Sequence, residues 1–214
     1  MQTTLKQFIK QAPLYYPLRN WFIKQRLNHE FAQWEKKGKP LPPPHLNKQR
    51  VLRSYAQQYG LKVLVETGTF YGDMVEAMKS DFSRIYSIEL SRDLHAKAQN
   101  RFRQHRHIEI IQGDSGTELQ SLMGKITLPT LFWLDGHYSG GETALGAKET
   151  PINEELGYIL GAPDLKHVII VDDARCFGAD PAYPTMEQLE SFVKSRRPGT
   201  AITVQDDSVR ITPA

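Results

Sequence analysis

An α/β domain built on a mostly parallel sheet, preceded by a basic helical appendage, is the fold class this sequence predicts. Three observations carry the prediction. From residue 61 onward, short hydrophobic runs alternate with amphipathic stretches, the pattern expected where helices cover a parallel sheet. Two of those runs, Leu131-Phe-Trp-Leu-Asp135-Gly-His137 and Val168-Ile-Ile-Val-Asp172-Asp173, end abruptly in acids. A third runs into Glu66-Thr-Gly68-Thr-Phe-Tyr-Gly72, a turn in which glycine lets the backbone pass close to a neighbour or ligand.

The elements follow in order. Segments 3–11 and 18–36 read as helices separated by Pro13 and Pro17, and Gly38 to Pro44 is a stiff connector that cannot sustain a helix. A further helix at 47–59 stops at Gly60. Strands are expected at 61–66, 84–89, 107–112, 130–135 and 167–172, with helices at 71–80, 92–103, 115–123, 150–160 and 185–195 between and after them. The tail places Ala201 to Val204 and Val209 to Ile211 around Asp206-Asp207-Ser208, which reads as a hairpin. The boundaries divide the chain into an appendage, 1–60, and a main domain, 61–214.

Composition narrows the function classes. No apolar run approaches a membrane span and the N-terminus lacks a secretory hydrophobic stretch, so a cytoplasmic location is the default expectation. The single cysteine, Cys176, excludes an intrachain disulfide and a cysteine-rich zinc site; it reads as a small packed neighbour rather than a nucleophile. Residues 1–60 hold eleven Lys or Arg against Glu30 and Glu35, a net +9, while residues 61–214 come to −6. Tyr15, Tyr16, Trp21, Phe22, Phe31 and Trp34 recur there at roughly helical spacing, which favours packing over a base-stacking platform.

The strand tips hold the chemistry. Glu89 closes the second strand 23 residues after Glu66, where an acid can accept from both hydroxyls of a ribose. Asp114 and Ser115 close the third strand and offer an acceptor for an exocyclic amine and a donor to an adenine edge, or else a helix cap. The turn lacks the middle glycine of a dinucleotide fingerprint, since that position is Phe70. Asp135, Asp172 and Asp173 are oxygen ligands suited to a hard cation such as Mg²⁺ if the two strands are parallel neighbours. The alternative is that they cap loops and face water. Glu154 and Glu155 read as the acidic start of a helix, where negative charge complements the positive end.

This ordered set resembles the class I S-adenosylmethionine-dependent methyltransferases over residues 61–214, with Glu66, Gly68 and Gly72 in the first donor loop, Glu89 as the ribose acid, and Asp114-Ser115 at the adenine tip. The resemblance implies a Rossmann-like, seven-stranded sheet ordered 3-2-1-4-5-7-6, with only the last strand antiparallel. The second half is similar to the metal-dependent O-methyltransferases acting on macrolide and aminocoumarin sugars. By that likeness Asp135, Asp172 and Asp173 hold a divalent metal, and His137 stands where those enzymes carry an Asp as general base. An imidazole suits that task near neutral pH, or serves as a metal ligand or substrate donor.

Tyr138 is expected to line an acceptor pocket, with Gly140 and Gly141 in a lid, and Arg175 either clamps an anionic substrate group or neutralises the paired acids. The expected activity is methyl transfer from S-adenosylmethionine to a small hydroxylated acceptor, with a homodimer formed through the appendage. A nicotinamide-dependent oxidoreductase and a non-enzymatic adaptor that keeps a nucleoside cleft are the alternatives. A nucleic-acid partner is disfavoured, because no Asn/Asp-Pro-Pro-aromatic tetrad follows the fourth strand and the basic residues cluster elsewhere.

Overall fold

A computed structural model describes residues 15–135 and 151–213. The chain forms two compact units, 1–50 and 51–214.

In the first unit, α1 (Tyr15–Lys36) begins two residues before Pro17, which was expected to lie outside it. Pro17 is tolerated because the first turn of a helix leaves its backbone N–H groups without intrahelical partners. Gly38, at φ 80°, ends the helix, and the Trp34 indole donates to the Pro40 carbonyl at 2.7 Å, tying the connector back. Phe31 and Trp34 are buried and tilted against each other, with the Arg50 guanidinium 4.0 Å above the Phe31 ring. Trp21 and Phe22 depart from the packing expectation, since both are exposed. The predicted helix at 3–11 lies outside the described residues.

The second unit starts within α2 (His45–Gln58) and continues as β1 (Val63–Thr67), α3 (Asp73–Met78), β2 (Arg84–Glu89), α4 (Arg92–Phe102), β3 (Ile108–Gln112), α5 (Ser115–Met123), β4 (Thr130–Leu134), α6 (Ile152–Gly161), β5 (Val168–Val171), a 3₁₀ turn (Ala174–Cys176), α7 (Met186–Arg196), β6 (Thr200–Gln205) and β7 (Ser208–Pro213). The sheet order is β3-β2-β1-β4-β5-β7-β6. β1 pairs in parallel with β2 and β4, as do β2 with β3 and β4 with β5, while β7 runs antiparallel to both β5 and β6. The last reversal follows from the two-residue turn at Asp206 and Asp207, both with positive φ (49° and 60°), which brings β7 straight back along β6.

Alternation along the buried strands builds two cores. Val65, Ile88, Phe132, Leu134, Ile169 and Val171 face one side with Leu119 of α5, Leu156 of α6 and Val193 of α7. Leu64, Ile85, Leu131, Trp133 and Ile170 face the other with Leu52 of α2, Met78 of α3 and Phe102 of α4. Central strands covered on both faces explain why β1, β4 and β5 read as continuous apolar runs. Every parallel strand therefore delivers its C-terminal tip to one sheet edge, which is where ligands of open α/β sheets bind.

Candidate active site

The glycine turn after β1 is held by groups that the sequence only partly revealed. Gly68 and Thr69 both donate to the Ile88 carbonyl, binding the loop to β2, and Gly68 has φ 83°. Gly72 precedes α3 at φ 76°, and a Cβ placed there would meet the Phe102 ring at 2.6 Å. Its requirement for glycine thus comes from the packing of α4 against the loop. Phe70, in the position where a dinucleotide loop carries glycine, adopts the same left-handed conformation at φ 51°. Its N–H donates to Glu89 Oε2 at 2.7 Å, while Ser91 N–H donates to Glu89 Oε1 at 2.8 Å. Glu89 is buried, and burial raises its pKa despite those two bonds. Each oxygen retains acceptor capacity for a further hydroxyl.

Glu66 lies on the opposite face of β1 from Thr67 and accepts from the Ser87 hydroxyl of β2, which also bonds Thr69 Oγ1 at 2.6 Å. Complete burial pushes the Glu66 carboxyl up to about 8, against the Ser87 bond and helped by the nearby Glu89 charge. Asp114 is the N-cap of α5 and accepts from Gly116 N–H at 2.8 Å, so the capping role anticipated for this tip is realised. Ser115 is buried beside it.

On the other half of the edge, the parallel pairing of Leu131–Leu134 with Val168–Val171 sets the two acid-tipped strands side by side. Asp135, Asp172 and Asp173 each present a carboxylate oxygen within 4.8 Å of the others. In an extended strand Asp172 and Asp173 would diverge, but Asp173 turns into the left-handed region at φ 58°, which Asp tolerates better than most residues. Asp172 and Asp173 are buried and Asp135 is partly exposed. Three carboxylates in this space oppose one another's ionisation unless a cation compensates them, and the oxygen-only set fits a hard divalent ion with metal–oxygen distances of about 2.0–2.6 Å.

Arg175 compensates one side of the cluster. Its guanidinium contacts Asp173 Oδ1 at 2.7 Å and also bonds Asp207, whose side chain is fully buried. Asp207 additionally accepts Arg175 N–H at 2.9 Å and, through its carbonyl, Ala174 N–H at 2.8 Å. The β6–β7 turn thereby locks the β5 tip, a role for Asp207 that only a long-range contact creates. Of the two readings for Arg175, the neutralising one describes these contacts. Cys176 sits half-buried in the 3₁₀ turn with its thiol pKa raised chiefly by desolvation, in keeping with a non-nucleophilic neighbour. His137, Tyr138, Gly140 and Gly141 lie outside the described residues.

A group absent from the sequence expectation ties the β1 tip to the β4 tip. Thr67, at the β1 tip, accepts Asp135 N–H on Oγ1 at 3.2 Å. Glu155 begins α6 as expected but is 1% exposed, and burial pushes its carboxyl up to about 7. A sequence signal existed, because Glu155 falls on the buried stripe formed by Ile152, Leu156 and Ile159 at helical spacing. An acid on that stripe is a buried acid.

No family model matches the chain, and no curated protein matches it in sequence. Solved structures match its fold. The O-methyltransferase TomG from Streptomyces achromogenes, involved in tomaymycin synthesis and solved with SAM, superposes with a TM-score of 0.57 at 19% identity, covering 88% of each chain. An O-methyltransferase from Bacillus cereus in complex with SAH gives 0.55 at 16% identity over 87% of this chain and 90% of its own. The SAH-bound methyltransferase PaMTH1 of Podospora anserina gives 0.54 at 16% identity over 78% of each. The chain therefore has the class I methyltransferase fold, with the strand order and single antiparallel strand expected of it.

Proposed function

We propose that this protein is an S-adenosylmethionine-dependent O-methyltransferase that acts on a small hydroxylated acceptor with the help of a divalent metal. The observation that carries the reading is the gathering at one sheet edge of a nucleoside-suited half, Gly68, Glu89 and Asp114-Ser115, and a carboxylate half, Asp135, Asp172 and Asp173. The solved structures named as O-methyltransferases share this fold, which supports the donor assignment. The antiparallel β7 inserted between β5 and β6 counts against the nicotinamide alternative, whose doubly wound sheet runs in the order 3-2-1-4-5-6.

S-adenosylmethionine supplies a methyl group activated by its sulfonium. On this reading Glu89 accepts from the ribose hydroxyls, Asp114 and Ser115 meet the adenine edge, and Glu66 supports the donor loop from beneath. Gly68 and Gly72 shape that loop. Asp135, Asp172 and Asp173 would hold the metal, which would supply Lewis acidity favouring the deprotonated acceptor hydroxyl. His137, two residues beyond Asp135, would take the proton of the acceptor hydroxyl. Tyr138 lines the acceptor side, while Arg175 neutralises Asp173 of the acid cluster.

Calorimetric titration tests the assignment in two stages. The folded chain binds S-adenosylmethionine and S-adenosylhomocysteine; failure of both ends the reading. In chelator-treated protein, Asp135→Asn and Asp172→Asn each weaken Mn²⁺ binding while sparing the donor, and unchanged Mn²⁺ affinity in both rejects the metal site. With an acceptor found by incubating metabolite extract and donor, His137→Asn lowers turnover by roughly 10²-fold or more and removes the ascending limb of the pH profile. Full activity in that variant excludes His137 as base.

A further inference from the structure

β6 leaves one edge of the sheet open. It is the last strand in the order and pairs with β7 alone among the described residues. Gln205 and Ser208 face each other across the two-residue turn at Asp206 and Asp207, and from such a turn outward the pairs of a hairpin alternate between bonded and non-bonded. Gln205, Thr203 and Ala201 therefore direct their N–H and C=O groups to β7, while Val204, Ile202 and Thr200 direct theirs away from it. Thr200 is answered locally, since its N–H donates to the Arg197 carbonyl at 3.1 Å and its own carbonyl accepts from Lys194 Nζ. Among the described residues nothing of that kind reaches the outer N–H and C=O of Ile202 and Val204.

Open edges are normally blunted by charge, proline or a bulge. The opposite edge, β3, carries such a guard in Glu109, which is ion-paired to Arg84 and Lys125. Thr200-Ala-Ile-Thr-Val-Gln205 has no charge and no proline, and its register with β7 is continuous. Val204 stands 56% exposed on the same face as Ile202, which packs on the core. The ends of the strand differ in charge: Lys194, Arg196 and Arg197 precede it and the partly exposed Asp206 follows it. A second copy laid antiparallel along β6 sets each basic end beside an acidic one, where a parallel copy would set like beside like.

We propose that β6 is a self-pairing surface, on which a second copy of this chain adds its own β6 antiparallel across a two-fold axis and joins the two sheets into one. The register that satisfies the open groups bonds Ile202 to the partner's Val204, and by symmetry Val204 to the partner's Ile202. It covers the exposed Val204 side chain with an isoleucine and places Thr203 against its own copy at the axis, as a non-bonded pair. The surface is distinct from the strand-tip site and from the appendage, and it holds whatever reaction the protein catalyses.

Disulfide trapping in the full-length chain, with Cys176→Ser as background, tests the register. Cα atoms of a non-bonded antiparallel pair lie about 4.5 Å apart, within disulfide reach, so Thr203→Cys is expected to give a covalent dimer under mild oxidation. Ala201→Cys, exposed on the same face but about 14 Å from its own copy, is expected to give none. Hydrogen exchange tests the surface without a cross-link. In wild type the amides of Ile202 and Val204 are expected to exchange about tenfold or more slowly when the protein is concentrated roughly hundredfold. Thr203→Lys, which sets two ammonium groups against each other, is expected to abolish that dependence while the Ala201 and Gln205 amides stay protected by β7. No dimer from Thr203→Cys, or as much from Ala201→Cys, overturns the proposal. So do outer amides that exchange freely at every concentration, protection that survives Thr203→Lys, and protection unchanged on dilution, which would assign the edge to a cover within the chain.

Discussion

Glu66 shows how a single buried acid writes itself into the pH dependence of the fold. Its carboxyl titrates near 8 in the folded chain and close to 4.5 when exposed, so across that interval the folded state holds a proton that the unfolded state has released. Stability contributed by this group is therefore greatest at low pH and declines as pH rises towards 8. Glu155, pushed up to about 7, acts in the same direction over a shorter interval. Urea denaturation at pH 5 and pH 8.5 is expected to show wild type losing more stability than Glu66→Gln, by on the order of a few kcal/mol. Equal losses in the two proteins would mean that Glu66 is ionised in the fold. The sequence displayed this acid at a strand tip but not its burial, because burial depends on Ser87 and Glu89 arriving from the neighbouring strand.

Among the elements, the glycine loop and α4 are built for each other. Gly72 at φ 76° sits against the Phe102 ring, so Gly72→Ala meets both a left-handed backbone penalty and a steric overlap. A loss of about 2–3 kcal/mol in chemical denaturation is expected, and Phe102→Leu in the same background should recover the steric part but not the conformational part. No recovery would place the cost in the backbone alone. The element map was largely legible in the chain. Short apolar runs and helical stripes located β1 to β7 to within a residue or two because their burial is local and repetitive. Pro17 was the exception at the N-terminus of α1, where a proline is permitted inside the first turn and so does not mark the boundary.

At the level of the whole molecule, charge and exposed aromatic surface are unevenly distributed. Trp21 and Phe22 stand 54% and 63% exposed on α1 with their rings 4.9 Å apart, within the first 60 residues, which carry the net positive charge. An aromatic pair left on a basic helix is the kind of surface a second protein chain covers. A homodimer through the appendage is expected in solution, with Trp21→Ser and Phe22→Ser together shifting the mass towards monomer. Sedimentation that finds only monomer across the micromolar range in wild type would reject that assembly. Among the described residues no helix is long and apolar enough to cross a membrane.

By itself the sequence determined the alternation of strands and helices, the acids at the strand tips and the glycine turn, since hydrophobic period and residue chemistry are properties of neighbours along the chain. It also showed Asp135, Asp172 and Asp173 as oxygen ligands waiting for proximity. Only the tertiary structure decided that they meet within 4.8 Å, because that depends on β4 and β5 pairing in parallel and on Asp173 turning left-handed. The same holds for the Asp207 lock on Arg175 and for the core-facing Ser87 beneath Glu66. Each joins residues distant in sequence, and a polar contact of that kind leaves no periodic trace in the chain from which it could be read.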